Sequence, residues 1–141
     1  MSVLDQLLSI QTSDIIRFID LLGVATNALL GGAMARAARL DAVGFIVLAI
    51  KSGMGGGIIR DMMLQRGTVA AITDEWYLII ALVAAGVAWL ITTEGPVWDK
   101  LFPYLDALAL GTWSATGALK ALIFGLDWIP AILLGTITAT G

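Results

Sequence analysis

The chain has no cysteine and no histidine. Without cysteine there are no disulfides, thiolate metal sites or thiol nucleophiles. Without histidine the commonest general base and metal ligand is missing. Charge is also scarce, at 13% of 141 residues, and the net charge of −3 offers no basic field for nucleic acid. No cofactor signature and no nucleophile–base arrangement is visible, so the sequence argues against an enzyme.

Apolar residues are abundant instead. They make up 59% of the chain, with a mean hydropathy of +0.93. Soluble domains are about 45–50% apolar and about 25% charged. The excess is more than a soluble surface can hide, which predicts an all-α polytopic membrane protein.

Residues 1–13 carry Asp5 and no basic residue, so they are not a signal peptide. Leu4, Leu7, Leu8 and Ile10 have roughly helical spacing. This fits a surface amphipathic helix or a frayed terminus. Spans are expected over 15–35, 42–64, 76–91 and 102–124. A fifth apolar segment starts at Trp128 and has about 13 residues, against the ~20 that a spanning helix needs. Arg36 and Arg39 in the first loop place that loop in the cytoplasm and the N-terminus outside. The five tryptophans read as interface and packing residues.

A shift of 86 residues aligns Asp20 with Asp106, Thr26 with Thr112, Gly31 with Gly117, Ala35 with Ala121, Asp41 with Asp127 and Gly55 with Gly141. The repeat divides the chain into 14–93, a three-helix unit, and 101–141, a second unit that is incomplete here. An odd number of spans per unit inverts the second unit in the bilayer. Gly141 is the counterpart of Gly55, so a second glycine-rich break is expected just beyond it.

The densest feature is Gly53-Met54-Gly55-Gly56-Gly57-Ile58-Ile59-Arg60-Asp61. It lacks the third glycine of a dinucleotide fingerprint and the Gly-Lys-Ser/Thr ending of a phosphate loop. Two readings are open. The glycines permit close helix packing, or they break the helix and free carbonyls toward a polar path. Arg60 and Asp61 point about 100° apart on a helix and are expected to find partners on other elements. Lys51 lies near mid-span, where a cavity or a carboxylate would have to receive it. Lys120 is nearer a span end and either snorkels or acts. Asp20 and Asp106 either cap helices or face a cation path. Capping suits Asp106, Asp41 and Asp127.

The elements Asp20-Leu21-Leu22-Gly23, Asp41-Ala42-Val43-Gly44 and Gly55-Gly56-Gly57-Ile58-Ile59-Arg60-Asp61 resemble the prokaryotic branch of the trimeric intracellular cation channel family, also labelled a glycine transporter family. Asp106-Ala107-Leu108, Gly117 to Ala121 and Gly135-Thr136-Ile137-Thr138 resemble its second repeat. The resemblance implies inverted three-helix repeats, glycine-broken second and fifth helices, and a final helix. It implies a homotrimer in a bacterial inner membrane. Each protomer would have a hydrophilic path for monovalent cations, potassium and also sodium. By motif, Gly55, Gly56, Gly57, Arg60, Asp61, Thr138 and Gly141 belong to that path, and Gly53 and Lys51 are expected beside them. Lys120 matches a basic position linked to gating and membrane lipid. The alternatives are a transporter of a small zwitterion such as glycine, or a membrane scaffold that transports nothing.

Overall fold

The first helix is set by a local device. In the computed structural model, which describes residues 2–65, 67–91 and 93–141, the Ser2 hydroxyl accepts from the Asp5 amide. The Asp5 carboxylate in turn accepts from the Ser2 amide. This capping box satisfies two orphan donors. From it runs α1, Val3–Ala37, 35 residues and about 52 Å at 1.5 Å per residue. Residues 3–13 and the first expected span thus form one helix without a break.

Helix α1 stops where Arg39 takes φ 55°, and the Leu40 amide donates back to the Ala35 carbonyl. Asp41 then caps α2, Ala42–Leu64, by accepting from the Gly44 amide. A four-residue helix, α3 (Ala70–Thr73), leads to α4, Glu75–Leu90, whose start is capped by Asp74. Arg36 reaches from α1 to the Ala88, Trp89 and Ile91 carbonyls and closes the far end of α4.

Helix α5 spans Pro96–Ile123, and α6 spans Trp128–Thr140. Helix α5 starts several residues before the expected 102, with Pro103 inside it. Asp106 is therefore interior to α5 and caps nothing, contrary to expectation. Asp127 occupies the N-cap position of α6, without a side-chain bond there.

The 86-residue shift reappears in the coordinates. At the end of α5, Gly125 takes φ 83° and the Leu126 amide returns to Ala121, the counterparts of Arg39, Leu40 and Ala35. Gly31 packs on Leu48 and Ser52 of α2, and Gly117 packs on Leu134 and Thr138 of α6, each pair 86 apart. Helices α1 and α5 run antiparallel. Gly23 meets Trp113, while the earlier stretch near Ile16 lies by Lys120 and Phe124.

Small residues hold the bundle together. Ala81, Ala84, Ala85 and Ala88 of α4 are buried in clusters with Val24, Ala28 and Ala35 of α1 and Phe45 of α2. Outward faces stay apolar, with Val43, Val47, Val83, Leu90 and Leu133 more than half exposed. Helices α1 and α2 are long and apolar enough to cross a membrane. An apolar exterior around a polar interior is what a bilayer requires of an integral membrane protein.

Helix α2 is not broken at its glycines. Helix α2 is continuous from Ala42 to Leu64, which overturns the expected break. A Cβ on Gly53 would press on Ala28 of α1, and one on Gly56 would overlap the Thr138 carbonyl and the Trp113 ring. The run is a seam where α1, α5 and α6 approach α2 closely, the packing alternative of the sequence reading.

Candidate functional site

Arg60 is fully buried, and its guanidinium is the hub of a polar cluster. Nη1 donates to Asp20 Oδ1 at 2.6 Å and Nη2 to Asp20 Oδ2 at 2.8 Å. Such a fork-to-fork pair is the strongest geometry available to arginine. Nη1 also reaches the Thr116 hydroxyl at 3.3 Å, and Nε donates to Asp61 Oδ1 at 2.9 Å. The neighbours Arg60 and Asp61 therefore do pair, contrary to the angular argument. The long arginine stem lets Nε turn toward the next carboxylate, which a Cβ direction alone does not anticipate.

Asp20 takes a third bond, from the Tyr77 hydroxyl at 2.6 Å. Asp61 accepts from Lys120 Nζ at 3.3 Å and, through Oδ2, from the Ala70 amide at 3.0 Å. Lys120 Nζ lies 3.9 Å from Asp20 as well. Two cations and two carboxylates thus balance. They come from α1, α2 and α5, with Tyr77 of α4 and the α3 backbone closing the shell. Burial of unpaired charge is prohibitive, so each member fixes the others.

The cluster has access to open space. A cavity of about 580 Å³ runs between the first half of α1, the start of α4 and the end of α5. Ser9, Thr12, Arg17, Tyr77 and Lys120 are among the residues that line it. A second cavity, of about 200 Å³, touches Asp61, Thr68 and Lys120. The Lys120 side chain, 19% exposed, lines both, as do Ala70 and Phe124. In the wall of the larger one, Arg17 Nε donates to Asp74 at 2.7 Å. That bond holds the Asp74 carboxyl below the usual carboxylate range.

The expected site residues divide. Arg60, Asp61 and Lys120 come together, with Lys120 ion-paired instead of snorkelling. Gly55 and Gly141 face each other, the Gly141 carbonyl lying 3.3 Å from where a Gly55 Cβ would stand. Gly53, Gly56 and Gly57 line the helix seam. Thr138 is buried, and its hydroxyl donates to the Leu134 carbonyl of its own helix. Lys51 is exposed and forms no ion pair among the described residues, so the carboxylate partner considered for it is not there. Asp106 is half-buried and also lacks an ion pair among the described residues.

Three members were missed. Tyr77 reads as an interface aromatic, and Thr116 carries no signal at all. Trp113, buried against the seam, passes for ordinary packing. Asp20 did have a signal, its alignment with Asp106.

A family model described as "Glycine transporter" matches residues 17–93 and 103–141. The chain is 31% identical over 130 residues to the UPF0126 inner membrane protein YadS of Escherichia coli K12, covering 90% of this chain and 62% of that protein. It is 32% identical over 131 residues to a UPF0126 membrane protein of Vibrio cholerae, covering 92% and 54%. It thus spans little more than half the length of these relatives. A solved TRIC trimeric intracellular cation channel orthologue from Rhodobacter sphaeroides superposes with a TM-score of 0.81 at 29% identity, over 89% of this chain and 65% of that one. A structure from work on conductance through TRIC cation channels superposes at 0.69 with 25% identity, over 87% and 61%.

Proposed function

The chain belongs to the trimeric intracellular cation channel family, and on that premise we propose that it conducts monovalent cations, potassium and also sodium, through a path inside each protomer of a homotrimer. The observation that carries this reading is the charge-balanced cluster of Asp20, Arg60, Asp61 and Lys120, whose Lys120 lines two cavities. A balanced interior gives a passing cation carboxylate oxygens without trapping it at a net negative site.

In this reading, Asp61 and Lys120 form the movable pair. Their 3.3 Å contact is longer than the Arg60–Asp20 bonds and partly exposed, so it opens at smaller cost. Arg60 and Asp20 are the fixed frame. Gly53, Gly55, Gly56, Gly57, Thr138 and Gly141 form the seam along which the path widens, and Lys51 borders it. Lys120 links the gate to membrane lipid. The two units act as an inverted repeat. The antiparallel α1 and α5 and the recurrence of helix ends and glycine contacts 86 residues apart support this. The protein sits in a bacterial inner membrane with its N-terminus outside.

The test is potassium flux from liposomes holding the purified protein. Flux without a coupling ion is expected, and flux no greater than that of empty vesicles would sink the reading. The family model's description favours a second reading, uptake of glycine. Saturable labelled-glycine uptake without ion leak would establish that reading in its place.

A further inference from the structure

The buried cluster at Arg60 and the glycine contact at Gly55 lie little more than one turn apart on α2, and one side chain, Trp113 of α5, stands beside both. Its indole occupies a slot floored by glycine on two helices. A Cβ on Gly23 of α1 would overlap its Cδ1 and Nε1. A Cβ on Gly56 of α2 would overlap its Cζ3 and Cε3, and one on Gly57 would lie 4.0 Å from its Cη2. The Thr138 carbonyl closes the slot from α6, where it too would overlap a Gly56 Cβ. Trp113 is 2% exposed, and it stands one turn before Thr116, the hydroxyl that touches Arg60.

The indole Nε1–H has no hydrogen-bond partner, the single such buried side-chain atom among the described residues. Buried tryptophans normally find one. A ring chosen only to fill space needs no N–H. An unsatisfied donor facing glycine backbone is satisfied once water enters.

We propose that Trp113 is the plug of the cation path. In the described state its indole fills the Gly23–Gly56 slot and separates the Asp20–Arg60–Thr116 cluster from the Gly55–Gly141 contact. Conduction requires the ring to leave, and water or the passing ion's hydration shell then meets the Nε1–H and the Thr138 carbonyl. The proposal rests on the channel reading above.

The absence of cysteine makes a direct experiment available. Trp113→Cys introduces the sole thiol of the chain. Potassium flux is measured in liposomes for the unaltered protein, Trp113→Ala, Trp113→Phe, Trp113→Cys and a control, Leu110→Cys, at an exposed position of the same helix. Expected are a severalfold rise with alanine, passage of methylammonium as well, and a smaller rise with phenylalanine. The Trp113→Cys protein should also start high and fall back on reaction with a trimethylammonium methanethiosulfonate, while Leu110→Cys should match the unaltered protein and ignore the reagent. Variants that elute and fold like the parent yet keep its flux and cation size limit would overturn the plug while leaving the channel reading intact. Misfolding of all three Trp113 variants would also overturn it, by assigning the indole to structure alone. No flux from any protein sinks the channel reading itself.

Discussion

Asp20 and Arg60, on different helices, meet through two parallel bonds of 2.6 and 2.8 Å with both side chains sealed from solvent. Removing one partner leaves the other buried and uncompensated. Asp20→Asn is expected to cost about 3–5 kcal/mol. The double change Asp20→Asn with Arg60→Met leaves the balanced Asp61–Lys120 pair, so it should cost clearly less than the sum of the single changes. Thermal unfolding in detergent, arranged as a double-mutant cycle, checks this. Additive losses would show that the pair does not act as a unit.

Glycines in contact and glycines in open space should respond with opposite sign. Gly56→Ala forces a methyl into Trp113 and the Thr138 carbonyl and should destabilise by about 1–3 kcal/mol. Nothing lies within 4 Å of the Cβ position of Gly86 on α4. Gly86→Ala should gain up to about 1 kcal/mol of helix propensity. Melting temperatures moving the same way in both would refute the seam.

The Arg17–Asp74 contact predicts an acid response. The Asp74 carboxyl titrates below its ordinary range, the Arg17 hydrogen bond being the chief cause. A depressed carboxylate pKa stabilises the folded form above the unfolded value, near ~3.9, and that contribution is lost as pH falls through the folded pKa. Hydrogen exchange at the start of α4 should therefore quicken as pH is lowered from about 5 toward 3, after correction for intrinsic exchange rates. Asp74→Asn keeps a capping side chain for the Trp76 amide and should remove the pH dependence. An unchanged profile in that variant would assign the response to other carboxylates.

What was legible in the sequence was what short-range chemistry decides. Asp41 and Asp127 mark helix starts because an N-cap is set by its own next few residues. The end of α2 at Leu64 follows from the polar stretch after it. The partners of Arg60 were not legible. Asp20 and Thr116 are 40 and 56 positions away, and only packing brings them together. The glycine run misled for a related reason. Alone, each glycine weakens a helix by about 1 kcal/mol, but Ala28, Trp113 and Thr138 clamp α2 from three sides and keep it helical. Residues 3–13 show the opposite case, a stretch that reads as separate and forms the first third of α1.

The repeat makes a prediction of its own. Gly31 sits 3.0 Å, as a Cβ would measure it, from the Leu48 carbonyl, and Gly117 sits 2.9 Å from the Leu134 carbonyl. These are the same contact in two units, α1 on α2 and α5 on α6. Backbone carbonyls cannot swing aside as a flexible side chain can. Gly31→Ala and Gly117→Ala should therefore each destabilise by about 1–3 kcal/mol, partly offset by alanine's helix propensity, and by amounts that agree within roughly the 0.5 kcal/mol to which distant sites add. Combined, they should add, since the two seams share no residue. Denaturant or thermal unfolding of both single variants and the double variant measures this. A large loss at one site with none at the other would mean that the 86-residue correspondence does not extend to how tightly the helix pairs are held.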